Sequence, residues 1–241
     1  MLRILLPLWC AAALYGQARV PKLTETYRHY CFDFNWVDKL DRAGKPLSDY
    51  SKLRAGDHIR SLAAMHANSL MVFTMSISGY TFYDSTVGER HPTLTYDYLK
   101  EMVRLGHARG IGMELYVPTL WADRLIQRNP SWGVRKPDGS YYTSFYGGYH
   151  PDINSPAAGW YAAMLRELFP AYGAEAFFAD GLSMLRYGQG EHTVRKFRSE
   201  MGRDYPKSLD ADPDWRATLR WEVEQVRRYW RLLRETIRKQ D

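Results

Sequence analysis

The residue best placed to do chemistry in this 241-residue chain is Asp180. It follows Phe177-Phe178-Ala179, an apolar run of the kind that forms a buried strand, and Gly181 behind it lets the backbone turn sharply. A carboxylate at the end of such a strand can attack an anomeric carbon or stabilise an oxocarbenium-like transition state. It can equally cap a turn or pair with a nearby arginine, and the pattern leaves both readings open. Asp33 and Asn35 close another apolar run, Tyr30 to Trp36. Asp33, flanked by Phe32 and Phe34, suits hydrogen bonds to sugar hydroxyls or a structural tie to a neighbouring strand. Glu114 and Tyr116 alternate with Met113, Leu115 and Val117, so they share one side of a strand. If that side is the inner one, Glu114 is a second carboxylate for the site; if not, it meets an arginine on a helix.

Aromatic side chains crowd the connecting segments: Tyr80, Phe82, Tyr83, Trp121, Trp132, Tyr141, Tyr142, Phe145, Tyr146 and Tyr149. Flat rings with a polar tip suit the faces of pyranose rings, and they suit protein interfaces and loop packing as well. His91, before Pro92, either lines a site or caps the next helix. The seven histidines form no His-x-x-x-His or His-x-His pair, and there is no Cys-x-x-Cys, which removes the usual basis for a zinc site. Nucleotide-binding glycine loops and the Gly-x-Ser-x-Gly elbow are likewise absent from the sequence, so no cofactor is expected. Cys31, on a strand, reads as core rather than as nucleophile.

These residues depend on strands alternating with amphipathic helices, the signature of a parallel α/β architecture. Strands are expected at Tyr30 to Trp36, Leu70 to Ile77, Gly112 to Val117 and Ala176 to Ala179. Between them come a helix with Ile59, Leu62, Ala63 and His66 on one face, and a helix capped by Thr95 with Leu99, Met102 and Val103 inward. A third opens at Ser155-Pro156, with Trp160, Met164, Leu165 and Leu168 inward. Gly110 is expected to end the second helix in a left-handed conformation. Asp212-Pro213 opens a long last helix whose Leu219, Val223, Val226, Trp230, Leu233 and Ile237 make one apolar stripe. The connection from Pro118 to about Asn154 is long enough to suggest a functional loop, with a small hairpin around Pro137-Asp138-Gly139. Four strand–helix units correspond to part of a (β/α)8 barrel, a TIM barrel, with a long loop after strand three; closure needs eight strands, so a partner or further copy is one way to complete it.

At the N-terminus, Arg3, the apolar run Ile4 to Tyr15, and small Gly16 and Ala18 match a signal peptide over residues 1–18. This predicts a secreted or periplasmic protein with no stable membrane anchor, residues 19–241 forming one domain. An uncut N-terminal anchor is the alternative. Cleavage after Ala18 leaves Cys31 as the sole thiol, so the fold must rest on its core, which a hydrophobic fraction of 45% permits. The net charge of +6 arises largely from arginines interleaved with glutamates on the last helix, a solvated face rather than a nucleic-acid tail.

The run GYTFYDSTVGERHPTLTYDYLKEMVRLGHARGIGMELYV, with NPSWGVRKPDG, DINSPAAGWY and AFFADG, resembles glycosyl-hydrolase (β/α)8 barrels related to alpha-L-fucosidases. The similarity runs from about Tyr27 to the end of the chain and covers the N-terminal half of that family's barrel. It implies a nucleophile at Asp180 and a substrate pocket lined by Tyr80, Tyr83, His91, Tyr116, Trp121 and Asn154. Two segments depart from the family pattern: Glu175-Ala176 stands where Asp-Gly is common, and Tyr187 to Lys196 replaces a cysteine-rich stretch. The family's acid/base carboxylate comes from a later strand. The expected function is therefore a glycoside hydrolase acting on carbohydrate, with a non-catalytic carbohydrate-binding or truncated, degenerate barrel as the alternative.

Overall fold

The computed structural model of this protein describes residues 20, 22, 25, 28–34, 37–119, 121–144, 147–181 and 187–239. The leader peptide expected over residues 1–18 lies outside them, as do Asn35, Trp36, Phe145 and Tyr146.

Four strands form one parallel sheet in the order β1-β2-β5-β6: β1 (His29–Cys31), β2 (Ser69–Phe73), β5 (Gly112–Pro118) and β6 (Ala176–Asp180). A two-stranded parallel ribbon, β3 (Tyr80–Thr81) and β4 (Glu89–Arg90), stands in the connection after β2. The helices are α1 (Ala55–Ala64), α2 (Tyr98–His107), α3 (Asp123–Arg128), α4 (Ala157–Tyr172), α5 (Glu191–Met201) and α6 (Trp215–Arg238). Helices separate successive strands of the main sheet, as a parallel sheet requires. No helix among the described residues is long and apolar enough to cross a membrane.

Helices claim one side of the sheet. Leu70, Val72, Met113, Leu115 and Val117 alternate along β2 and β5 and are almost fully buried in the main core, with Leu99 and Met102 of α2 and Met164, Leu165 and Leu168 of α4. Gly106 of α2 has no side chain because Met113 occupies that space: an added Cβ would lie 1.7 Å from Met113 Cε. The opposite face is far less covered.

Several boundaries differ from expectation for definable reasons. Asp97, not Thr95, caps α2, its carboxylate accepting the Lys100 N–H at 2.8 Å. Asp97 also accepts the Tyr172 hydroxyl and the Asp84 N–H, so one side chain ties helix start, α4 and loop together. Gly110, with φ of +67°, sits in the turn just beyond α2 as foreseen. His66 falls outside α1, exposed, with φ of 54°. The long connection after β5 carries α3 and a single 3₁₀ turn at Pro130–Trp132, neither anticipated, besides the hairpin that pairs Arg135 with Tyr141. The last helix is capped by Asp214 rather than Asp212; Asp212 is buried and faces Arg203.

The largest correction concerns α6. Leu219, Val223 and Trp230 of its apolar stripe are exposed at 37%, 41% and 45%, while Thr218, Gln225, Tyr229, Leu233 and Thr236 are buried. The helix packs on α4 through Tyr229 and Leu233, and on α5 through Trp221, which joins Phe197 and Tyr205 in a second small core. Leu233→Ala is therefore expected to lower stability by about 2–5 kcal/mol in urea unfolding, whereas Leu219→Gln and Val223→Gln each change it by less than about 0.5 kcal/mol; equal losses at the three sites would contradict this placement of α6.

Candidate active site

The strand register dictates what stands on the open face. Parallel strands in register point partnered residues to the same side. One row runs Cys31, Met71, Glu114 and Ala176; the next contains Phe73, Tyr116 and Phe178; beyond it Asp180 pairs with Pro118 at the carboxyl end. Asp33 continues the alternation of β1, in which His29, Cys31 and Asp33 are exposed and Tyr30, Phe32 and Phe34 half-buried. Asp33, Glu114, Tyr116 and Asp180 thus share one surface, and Asp180 faces away from the helical layer.

Tyr116 connects the parts. Its hydroxyl donates to Asp180 Oδ2, its ring packs 4.1 Å from that of Phe73, and Phe178 stacks on it at 5.5 Å and 19°. Burial, then the Asp180 carboxylate it bonds, pushes the Tyr116 phenol far above its ordinary pKa, so it remains a donor at every physiological pH. Behind the side chain, the Asp180 carbonyl accepts both the N–H (3.1 Å) and the hydroxyl (2.7 Å) of Thr119. Gly181 then takes φ of +77°, a conformation that side-chain-bearing residues resist.

The face is crowded with acids. Burial and the charge of Asp180 raise the Asp33 carboxyl above its ordinary pKa. Two strands separate these residues, about 14 Å along a flat sheet at ~4.8 Å per strand; inward side chains on a curved sheet come closer. Glu114 is met by His29, whose Nε2 lies 3.4 Å from Oε2 while its Nδ1 bonds Ser69 at 2.8 Å. Cys31, expected in the core, is exposed on this face instead. Partial burial, then Asp33 and Glu114, pushes its thiol up to about 11. Among the described residues, no group of three or more His, Cys, Asp or Glu is arranged to hold a metal ion.

Other expected site residues lie elsewhere. His91 is fully buried: its Nδ1 accepts from the N–H and hydroxyl of Thr93 (3.3 and 2.9 Å), and the Thr93 oxygen in turn accepts from Tyr50 N–H. On the other side of the ring, Nε2 lies 3.4 Å from Oδ1 of buried Asp38, whose other oxygen accepts from Ser78. Tyr80 is also buried, edge-on to His91 at 5.1 Å and beneath the Arg124 guanidinium at 4.4 Å. Tyr83 belongs to the core, its hydroxyl donating to Glu167 of α4 at 3.1 Å. Glu167 also accepts from Ser85 and Thr86, clamping that loop to the helix. Asn154 donates to Thr193 of α5 at 2.9 Å. Trp121 is half-buried in the connection after β5, where Gly148 packs against its Cβ. Of the expected residues, then, Asp33, Glu114, Tyr116 and Asp180 come together, whereas Tyr80, Tyr83, His91 and Asn154 fasten loops. His29, Cys31 and Phe178 join the face unforeseen, though the period-two alternation of β1 and β6 carried that signal.

The model of the family described as hypothetical glycosyl hydrolase 6 matches residues 54–181. Among solved structures, alpha-L-fucosidase isoenzyme 2 from Paenibacillus thiaminolyticus superposes with a TM-score of 0.72 at 21% identity, covering 88% of this chain and 30% of the fucosidase. A hypothetical protein from Ruminiclostridium thermocellum gives 0.56 at 12% identity, covering 87% and 92% of the two chains. At these identities the likeness concerns the fold. The chain spans 30% of the length of that fucosidase. No curated protein matches the sequence.

Two titrations probe this electrostatic arrangement. With Cys10 replaced by serine, alkylation of Cys31 at pH 8 should be about a hundredfold slower than that of an ordinary thiol, and Asp33→Asn should accelerate it; an ordinary rate would contradict the clustering of acids around the thiol. Asp123, at the start of α3, accepts the Tyr149 N–H, and burial raises its carboxyl from 3.8 to about 6, with Asp38 adding to the shift. A carboxyl raised in the folded state favours folding below pH 4, and that contribution is lost as pH climbs through 6. The loss reaches at most about 3 kcal/mol before discounting residual solvent contact. Asp123→Asn should flatten the stability profile between these pH values in urea unfolding.

Proposed function

Because this chain belongs to the hypothetical glycosyl hydrolase 6 family, we propose that it hydrolyses O-glycosidic bonds in a carbohydrate, with Asp180 as the nucleophile. The observation that carries this reading is the single carboxylate at the end of β6, turned to the open face and held by the Tyr116 hydroxyl. In a double displacement, Asp180 would attack the anomeric carbon as the glycosidic C–O bond breaks and the departing oxygen takes up a proton. Water would then cleave the glycosyl ester and return the carboxylate. Tyr116 fixes the attacking oxygen. Phe178 and Tyr116 offer stacked rings to a pyranose. Asp33 stands across the face where it can bond sugar hydroxyls, and the group that supplies the proton is left unassigned.

We further read the sheet as the first half of a (β/α)8 barrel. The superposition on the fucosidase supports this, and so does the surface beside β6. There α6 exposes Leu219, Val223 and Trp230, and a cleft of about 360 Å³ opens between Phe169, Phe177, Trp230 and Ile237. A neighbouring β/α unit would cover these side chains, whether from a longer chain or an associated copy. Export by the signal-peptide-like residues 1–18 belongs to the same proposal.

A panel of aryl glycosides tests the chemistry. Asp180→Gly should lower kcat by at least about a thousandfold and regain turnover with azide, releasing a glycosyl azide. Tyr116→Phe should lower kcat by about ten- to a hundredfold. Turnover indifferent to Asp180→Gly would remove this residue from the mechanism, and Asp33→Asn should raise KM more than it lowers kcat if Asp33 bonds sugar hydroxyls.

A further inference from the structure

A second concavity lies at the same end of the sheet as Asp180, between the connection that follows β5 and the first turns of α5. It measures about 430 Å³, and Arg135, Gln189, Glu191, Val194, Arg195 and Arg198 line it. The hairpin after β5 supplies Arg135, and the connection after β6 supplies Gln189; the two segments are joined by a hydrogen bond from Gln189 N–H to the Arg135 carbonyl at 2.8 Å. The strands that carry Tyr116 and Asp180 therefore both feed this groove.

Its chemistry is that of an anion site. Three arginines line it against one acid, Glu191, and with Asp204 paired to Arg198 one positive charge is left in excess. Arg195 approaches Glu191 at 3.6 Å and Arg198 pairs with Asp204, but Arg135 has no carboxylate within 4.0 Å among the described residues. The Arg135 fork is instead held rigid: it donates to the Gly139 carbonyl at 2.9 Å and the Tyr141 hydroxyl at 2.8 Å, and lies 4.0 Å over the Tyr141 ring. Those bonds use two of its five N–H groups. A fixed guanidinium with spare donors and a surplus of positive charge is matched by a carboxylate or sulfate, each of which can accept two parallel N–H bonds.

We infer that this groove is a subsite for an anionic sugar: the glycan bound here carries a carboxylate or sulfate on a residue other than the one held at Asp180. The inference rests on the hydrolase reading for its placement but not for its test, which is a binding measurement. Calorimetric titrations at low ionic strength would compare trigalacturonate and a sulfated galactobiose with uncharged galactotriose, using sodium sulfate as the plain anion. At least one charged oligosaccharide should bind about tenfold or more tightly than the neutral one, its affinity should fall as salt is added, and the stronger of the two names the anionic group. Arg195→Glu, at an exposed side chain, should abolish the preference, and Arg135→Lys should weaken it by removing the fork while keeping the charge. Asp180→Asn should leave it intact. Equal affinity for charged and neutral sugars, a preference that survives Arg195→Glu, or sodium sulfate competing as well as either oligosaccharide would overturn the inference. Binding of the charged sugar without hydrolysis of any glycoside would instead count against the catalytic reading alone.

Discussion

Every second side chain of the central strands is claimed by helices, and the remainder of the structure follows from that division. Leu70, Val72, Met113, Leu115 and Val117 are drawn into the layer beneath α2 and α4, and a pleated strand must then deliver their neighbours to the other side. Met71, Phe73, Glu114 and Tyr116 have no choice of face once that core is made. The edge strand β6 obeys the same parity through its pairing with β5. A slip of one residue would send Asp180 among the aliphatic side chains, where an unpaired carboxylate costs several kcal/mol. Hydrophobic packing on one surface thus fixes the position of charge on the other.

That surface runs against the charge balance of the whole chain. The sequence carries a net +6, yet Asp33, Glu114 and Asp180 gather on the open face, where, among the described residues, the basic neighbour in contact with an acid is His29. Arginines are placed elsewhere: on α6, where Arg228 meets Glu200 and Glu224, and around the rim, where Arg124 and Arg128 share Glu89. Among the described residues, the Asp180 carboxylate is met by a neutral phenol, Tyr116, which orients it without neutralising its charge. The Cys31 thiol feels that acidic face: its pKa is raised first by burial and then by Asp33 and Glu114.

Much of this was legible in the residues. Alternating apolar runs located all four strands of the main sheet, and the Phe-Phe-Ala-Asp-Gly sequence placed Asp180 at a strand end before its neighbours were known. Depth was not legible. Tyr80, Tyr83 and His91 stand close to a strand end in sequence, but whether a loop residue reaches toward ligand or toward core depends on partners far along the chain: Glu167 for Tyr83, Asp38 for His91, Arg124 for Tyr80. Helix starts failed in the same way, because Asp97 is selected as a cap by Tyr172 and Asp84 as well as by its own helix. On α6 the apolar stripe was half right: Leu233, Val226 and Ile237 face the core as expected, whereas Leu219, Val223 and Trp230 do not. Periodicity reports that a helix has two sides; it does not report which one the protein occupies, and the buried side here includes Thr218, Gln225 and Thr236.

The pair of bonds from Thr119 to the carbonyl of Asp180 has a mechanical consequence. The connection that leaves β5 is stitched to the very peptide that bears the Asp180 carboxylate. A few residues later the same connection is pinned to the lobe after β2, where Arg124 N–H bonds the Ser78 carbonyl at 3.0 Å. The connections after β5 and after β2 are consequently coupled to the end of β6 by main-chain links. Any displacement of the connection after β5 would reach the strand end itself, so that the position of the loop and the direction of the Asp180 carboxylate behave as a single degree of freedom.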